Sequence, residues 1–123
     1  MTWRRQVLCL VPILTDTQAA WLGALIDGEG SIYFLKGRSY PYVSVTMTDL
    51  QIIYTLLRVV QAGTLTTRNN NGFGSKRLYA WVIAAQIDSE SFVRQIQPFS
   101  FKAQKALRQW FPTEPFVEPR IQI

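Results

Sequence analysis

The sequence predicts an α+β fold in which four antiparallel strands form one saddle-like sheet and all the helices pack on a single face of it. Three observations carry this reading. The hydrophobic pattern switches along the chain between a helical period and a period of two. Two hairpin patterns are each preceded by a helical segment that starts with a capping sequence. The most legible strand, "YPYVSVTMT", sets Val43, Val45 and Met47 against Tyr42, Ser44, Thr46 and Thr48, giving one apolar and one polar face. At 123 residues there is room for a single core.

The elements read in order as α-β-β-α-β-β-α-α. Residues 1–14, "MTWRRQVLCLVPIL", place two arginines before a short apolar run, faintly like a signal peptide. Pro12 breaks the run, and an N-terminal arm lying on the domain is expected instead. No stretch approaches the ~20 apolar residues of a membrane helix, so no membrane partner is expected. Thr15-Asp-Thr-Gln18 is a capping box that starts a first helix running to about Asp27, ended by Gly28 and Gly30. "SIYFLK" is the first strand, a turn follows near Gly37 to Ser39, and "YPYVSVTMT" is the second. Thr48-Asp-Leu-Gln51 repeats the capping box before a helix to about Gln61, ended by Gly63. "TLTTR", the hairpin loop "NNNGFGS" and "KRLYAWVIA" supply the third and fourth strands. Ser89 or Asp88 caps a short helix to about Gln97, and Pro98 introduces a last helix to about Phe111. The domain is thus 15–111, followed by an extended, proline-rich tail over 112–123.

Composition removes whole classes of chemistry. There is no histidine, which excludes Ser-His-Asp and Cys-His nucleophile systems and most zinc hydrolase sites. Any hydrolysis must rest on carboxylates, lysines and a hard cation held by oxygen. The single cysteine, Cys9, excludes an internal disulfide framework and fits a reducing, intracellular setting, cytoplasmic or organellar. A net charge of +5 suits a polyanionic partner and suits plain solubility equally.

The free sheet face is more telling. Its expected side chains are Ser31, Tyr33, Leu35, Tyr42, Ser44, Thr46, Thr64, Thr66 and Arg68, rimmed by Lys36, Arg38, Lys76 and Arg77 in the turns. An ordinary solvated face carries Glu as well as Lys, so this composition favours a nucleic-acid surface. Tyr79 and Trp81 fit the core, although a shift of one residue in register would expose them.

In the first helix, Ala20, Gly23, Ala24 and Asp27 fall at i, i+3, i+4 and i+7 as one stripe of small residues. Trp21, Leu22, Leu25 and Ile26 surround it. Such a stripe suits close approach of a second helix. Spacing alone allows either the same helix of a second copy or one of the chain's own C-terminal helices.

The run "LGALIDGEG", Leu22 to Gly30, followed directly by a β-hairpin, resembles the motif that names the LAGLIDADG homing endonucleases. The resemblance extends across the element order to about Trp110 and includes "QPF" with a lysine-containing helix start. It implies a site-specific, metal-dependent double-strand DNA endonuclease of intron or intein mobility. One motif in a short chain resembles the homodimeric branch, with Ala20, Gly23, Ala24 and Asp27 at the helix–helix interface and a long pseudo-palindromic target. The resemblance further implies that Glu29 is the acidic ligand of Mg²⁺, or of another divalent cation such as Mn²⁺, with the Gly28 carbonyl contributing. No small-molecule cofactor is implied. Asp49 follows the second strand, where relatives place a polar residue near metal-bound water, and it equally suits the start of the next helix. Lys102 and Lys105 resemble the lysines near the scissile phosphate, and the offset from "QPF" leaves open which of the two does so.

Two rivals share these features. A non-cleaving RNA- or DNA-binding module on the same fold, an intron maturase or a regulator, needs the basic saddle without the acidic pair. A purely structural dimerisation domain has no use for the basic turns.

Overall fold

Four strands and four α-helices follow one another in the expected order in the computed structural model, which describes residues 8–68 and 77–115. They are α1 (Asp16–Glu29), β1 (Gly30–Phe34), β2 (Pro41–Met47), α2 (Leu50–Val60), β3 (Thr64–Arg68), β4 (Leu78–Ile83), α3 (Gln86–Ile96) and α4 (Phe101–Trp110), with a 3-10 turn at Gln97–Phe99. The strands form one antiparallel sheet in the order β1-β2-β4-β3. The expected hairpin loop after Arg68, including Lys76, lies outside the described residues.

Register places alternate side chains of every strand under the helices. Val43 lies opposite Ile83 and Val45 opposite Trp81, and all four are buried. Trp81 is 0% exposed, with its ring 5.5 Å from that of Phe92 and its indole N–H donating to the Ala62 carbonyl at 2.9 Å. Tyr79 faces the same core, so the fourth-strand register is settled with both aromatics inward. Burying a residue of this size contributes a few kcal/mol, and slipping the strand by one would forfeit it.

Several boundaries differ from the sequence expectation, each for a local reason. Helix α1 runs two residues beyond Asp27, so Gly28 is helical and the chain passes from Glu29 straight into β1. Gly30 permits this abrupt exit: a Cβ there would lie 2.8 Å from the Ile26 side chain and 2.9 Å from its Cα. The cap of α2 is Asp49, not Thr48, because the Asp49 carboxylate accepts from the Gln51 and Ile52 N–H groups. Helix α3 starts at Gln86, without a side-chain cap. Asp88 and Ser89 lie inside it because distant partners claim them. The Leu10 N–H donates to Asp88 at 2.7 Å, and the Ser89 hydroxyl donates to the Pro41 carbonyl at 2.7 Å. Both residues are buried, and buried polar groups require such partners.

The described part of the arm, residues 8–14, lies against α3. Val11 and Leu14 enter the core, and Gln95 accepts from the Leu14 N–H and donates to the Pro12 carbonyl. The tail does not begin extended: Phe111 to Glu114 close a turn. Arg94 grips both Glu114 oxygens at 2.9 and 3.1 Å, and this hydrogen bonding holds the Glu114 carboxyl below its usual range.

Candidate nucleic-acid interface and active site

The face of the sheet away from the helices is where the expected binding residues meet. Ser31 and Tyr33 of β1 lie opposite Ser44 and Tyr42 of β2. Thr46 and Thr66 flank Ala80 of β4, and Arg68 lies opposite Leu78. Leu35, Lys36 and Arg38 are exposed at the far end of the β1–β2 hairpin, and Arg77 is exposed just before β4. No Asp or Glu occupies an outward position of the four strands among the described residues. Sequence reading missed two contributors. The outward positions of β4 are Leu78, Ala80 and Val82, an apolar strip down the middle of the face. Tyr40 shares its parity with Tyr42 and joins the same face, which the alternation in "YPYVS" already signals.

The second group of residues gathers where α1 ends. Asp27 is a cap for another helix: its carboxylate accepts from the Ser100 hydroxyl at 2.7 Å and from the Phe101 and Lys102 N–H groups at 2.9 and 3.1 Å. The two backbone N–H groups are orphan donors of the first turn of α4, where a negative charge also meets the positive end of the helix dipole. Asp27→Ala is therefore expected to destabilise the fold by about 2 kcal/mol, checked by chemical denaturation.

Gly23 is buried beneath the 3-10 turn. A Cβ on it would lie 2.6 Å from the Phe99 carbonyl oxygen. Of the four residues expected on the intersubunit stripe, Gly23 and Asp27 thus serve the chain's own 3-10 turn and α4, for which the small-residue spacing is equally suited. Ala20 is half-buried and Ala24 exposed. The open side of α1 is instead Thr17, Trp21, Ala24 and Gly28, with exposed Phe101 beside it through its bond to Asp27.

Glu29 is exposed at the last position of α1 and makes no hydrogen bond or ion pair among the described residues. A carboxylate there faces the negative end of the helix dipole, an arrangement that costs roughly 0.3–1 kcal/mol. Next to it the Lys102 ammonium donates to the Gly30 carbonyl at 2.7 Å. Lys105 lies one turn further along α4, and both lysines line a groove with Ser31, Tyr33 and Gln109 beside the β1 edge. Geometry therefore separates the lysines: Lys102 is tied to the α1–β1 junction and Lys105 is not. Asp49 stands past the end of β2 as the cap of α2.

Among the described residues no three Asp, Glu or Cys side chains cluster closely enough to hold a metal ion. Glu29 with the Gly28 carbonyl offers a sparse, all-oxygen donor set. Such a set fits Mg²⁺, which takes one or two carboxylates and fills its remaining positions with water and substrate phosphate. A Cβ on Gly28 would meet nothing within 4 Å among the described residues. No helix among the described residues is long and apolar enough to cross a membrane.

No protein-family model matches the chain, and no curated protein sequence matches it. Solved structures do. The chain is similar to the archaeal intron-encoded homing endonuclease I-Vdi141I, complexed with DNA, at a TM-score of 0.55 and 14% identity, over 76% of this chain and 65% of that one. It is also similar to the group I intron-encoded homing endonuclease I-CeuI, complexed with DNA, at a TM-score of 0.50 and 17% identity, over 79% of this chain and 52% of that one. It therefore spans just under two thirds of the first relative's length and about half of the second's. With Leu22–Gly30 carrying α1 into the first hairpin, and with four antiparallel strands backed by helices on one side, the chain has the fold of the LAGLIDADG homing endonucleases.

Proposed function

We propose that the chain is a LAGLIDADG homing endonuclease: a site-specific, metal-dependent double-strand DNA endonuclease acting inside the cell as a homodimer. The position of Glu29 carries this reading. A carboxylate with no hydrogen bond or ion pair among the described residues stands where a helix end disfavours it, one residue before the carbonyl that Lys102 grips. A bound cation would reverse the unfavourable electrostatics, and a phosphodiester would need that cation. Both structural relatives are DNA complexes, which supports a duplex as partner.

Two copies joined along the open side of α1 bring their Glu29 residues together at a twofold axis, one for each DNA strand. Helix axes 8–10 Å apart match the ~6 Å width of a minor groove once side chains are added. Each sheet spans ~20 Å, so a dimer tracks about 12 base pairs of a pseudo-palindrome. Glu29 and the Gly28 carbonyl would hold Mg²⁺ or Mn²⁺, whose contribution when bound is Lewis-acid stabilisation of the phosphate. Lys102 supplies positive charge at the same junction, and Lys105 extends it along the groove. The strand side chains Ser31, Tyr33, Ser44, Thr46 and Thr66 face the major groove, with Arg68 at the β3 end of the sheet.

The test is incubation with a plasmid library with and without Mg²⁺, followed by sequencing of linear products. One discrete cut site that requires metal is expected. Sequence-specific binding with no cleavage in any divalent cation would favour the non-cleaving module instead. Duplex affinity is also expected to fall steeply with salt, and Arg68→Ala to weaken binding and lower the salt slope by about one, measured by fluorescence anisotropy.

A further inference from the structure

The far end of the β1–β2 hairpin carries a cluster that general DNA affinity does not require. Leu35 to Arg38 form a hydrogen-bonded turn, with the Arg38 N–H donating to the Leu35 carbonyl at 3.1 Å. Gly37 sits at its third position with φ +85°, the type II arrangement that favours glycine. The backbone from which Arg38 departs is thereby fixed. Its guanidinium then lies over two rings, 5.6 Å from the Tyr40 centroid and 5.2 Å from that of Tyr42, and donates to the Tyr40 hydroxyl. Tyr42 packs in turn on Tyr33 at 5.9 Å and on Tyr40 at 6.3 Å. No carboxylate pairs with Arg38 among the described residues.

A phosphate contact asks only for a charge, and Lys36 in the same turn provides one. A flat guanidinium held over two rings and steered by a phenol is a costlier arrangement, because an arginine ordinarily keeps its rotamer freedom until its partner arrives. Fixing it beforehand serves a partner that reads orientation. With one N–H committed to Tyr40, the remaining donors still offer a fork, and the base edge that matches a fork is guanine O6 and N7 in the major groove. We infer that Arg38 is a specificity-determining residue that reads one guanine in each half-site, with Tyr40 as its positioning residue. This rests on the duplex-binding reading above. The five-residue step from Gly30 to Leu35 is about 17 Å of strand, which sets the guanine roughly five base pairs outward from the point that Glu29 addresses.

The experiment is selection from a pool of randomised DNA duplexes by wild type, Arg38→Lys and Tyr40→Phe, followed by affinities on the selected site and on its single-base variants. Wild type is expected to enrich a motif with one invariant guanine per half-site, and replacing that guanine to cost roughly 5- to 150-fold, the worth of one bidentate pair. Arg38→Lys keeps the charge and loses the planar fork, so the guanine preference weakens with the rest of the motif retained. Tyr40→Phe keeps the ring and loses only the steering hydroxyl, so the preference weakens with the salt slope unchanged. A motif identical in wild type and Arg38→Lys overturns the assignment and leaves Arg38 as a phosphate contact. An unchanged guanine preference in Tyr40→Phe overturns the role of Tyr40. Enrichment of no motif by wild type overturns the duplex-reading function itself, and the assignment with it.

Discussion

Glu29→Gln is expected to abolish cleavage while leaving specific duplex binding intact. The amide preserves size and shape but removes the charge that would hold a divalent cation. Losing several kcal/mol of transition-state stabilisation corresponds to a fall in rate on the order of a thousandfold. In the proposed reading, binding is carried by the sheet face and its basic rim, which the substitution does not touch. If the proposed dimer sets its two Glu29 carboxylates against the DNA backbone, removing them also relieves repulsion, and affinity in metal-free buffer is expected to stay level or rise. Because Glu29 makes no bond within the described chain, the variant should melt as wild type does. The measurement pairs nicking with a gel-shift titration on one cognate duplex, with and without Mg²⁺. Undiminished cleavage by the variant, or metal-independent cleavage by wild type, would sink the assigned mechanism. Lys102→Ala is expected to slow cleavage less, since in the proposed site it adds charge near the phosphate without holding the cation.

The second large effect concerns stability. In an ordinary exposed helix, Gly→Ala stabilises by about 1 kcal/mol. Gly23→Ala is expected to do the reverse, because its Cβ would stand 2.6 Å from the Phe99 carbonyl oxygen and 2.9 Å from the Phe99 Cβ. The neighbouring atoms are mostly backbone of the turn that delivers α4, so the strain cannot be relieved by a rotamer change. Displacing that turn also pulls Ser100 and Lys102 away from Asp27. A loss of about 1–3 kcal/mol is expected for Gly23→Ala, and more for Gly23→Leu. Thermal melting at low protein concentration distinguishes the two readings of the small-residue stripe. An intramolecular clash lowers the melting temperature at every concentration. A Gly23 that met only a second copy would leave the monomer's melting unchanged and alter sedimentation alone.

The sequence by itself determined the element order, the α+β class and the membership of the sheet faces, because these depend on period and on short-range signals. Alternation in "YPYVSVTMT" and "TLTTR" places Ser44, Thr46, Thr66 and Arg68 outward whatever surrounds them. The Thr15–Gln18 capping box forms as read, with bonds of 3.0 and 3.1 Å, because all its atoms lie within one turn. Tertiary structure decided what local signals leave degenerate. Asp88 and Ser89 look like helix caps, but Leu10 and Pro41, far away in the chain, claim them first. Gly23 and Asp27 have the spacing of a partner-facing stripe, yet the nearest surface to arrive is the chain's own 3-10 turn and α4. The offset from "QPF" leaves Lys102 and Lys105 undistinguished until α4 packs beside β1 and Lys102 reaches the Gly30 carbonyl. Periodicity records which side of an element is apolar or small; which neighbour occupies that side is a long-range choice, settled by packing.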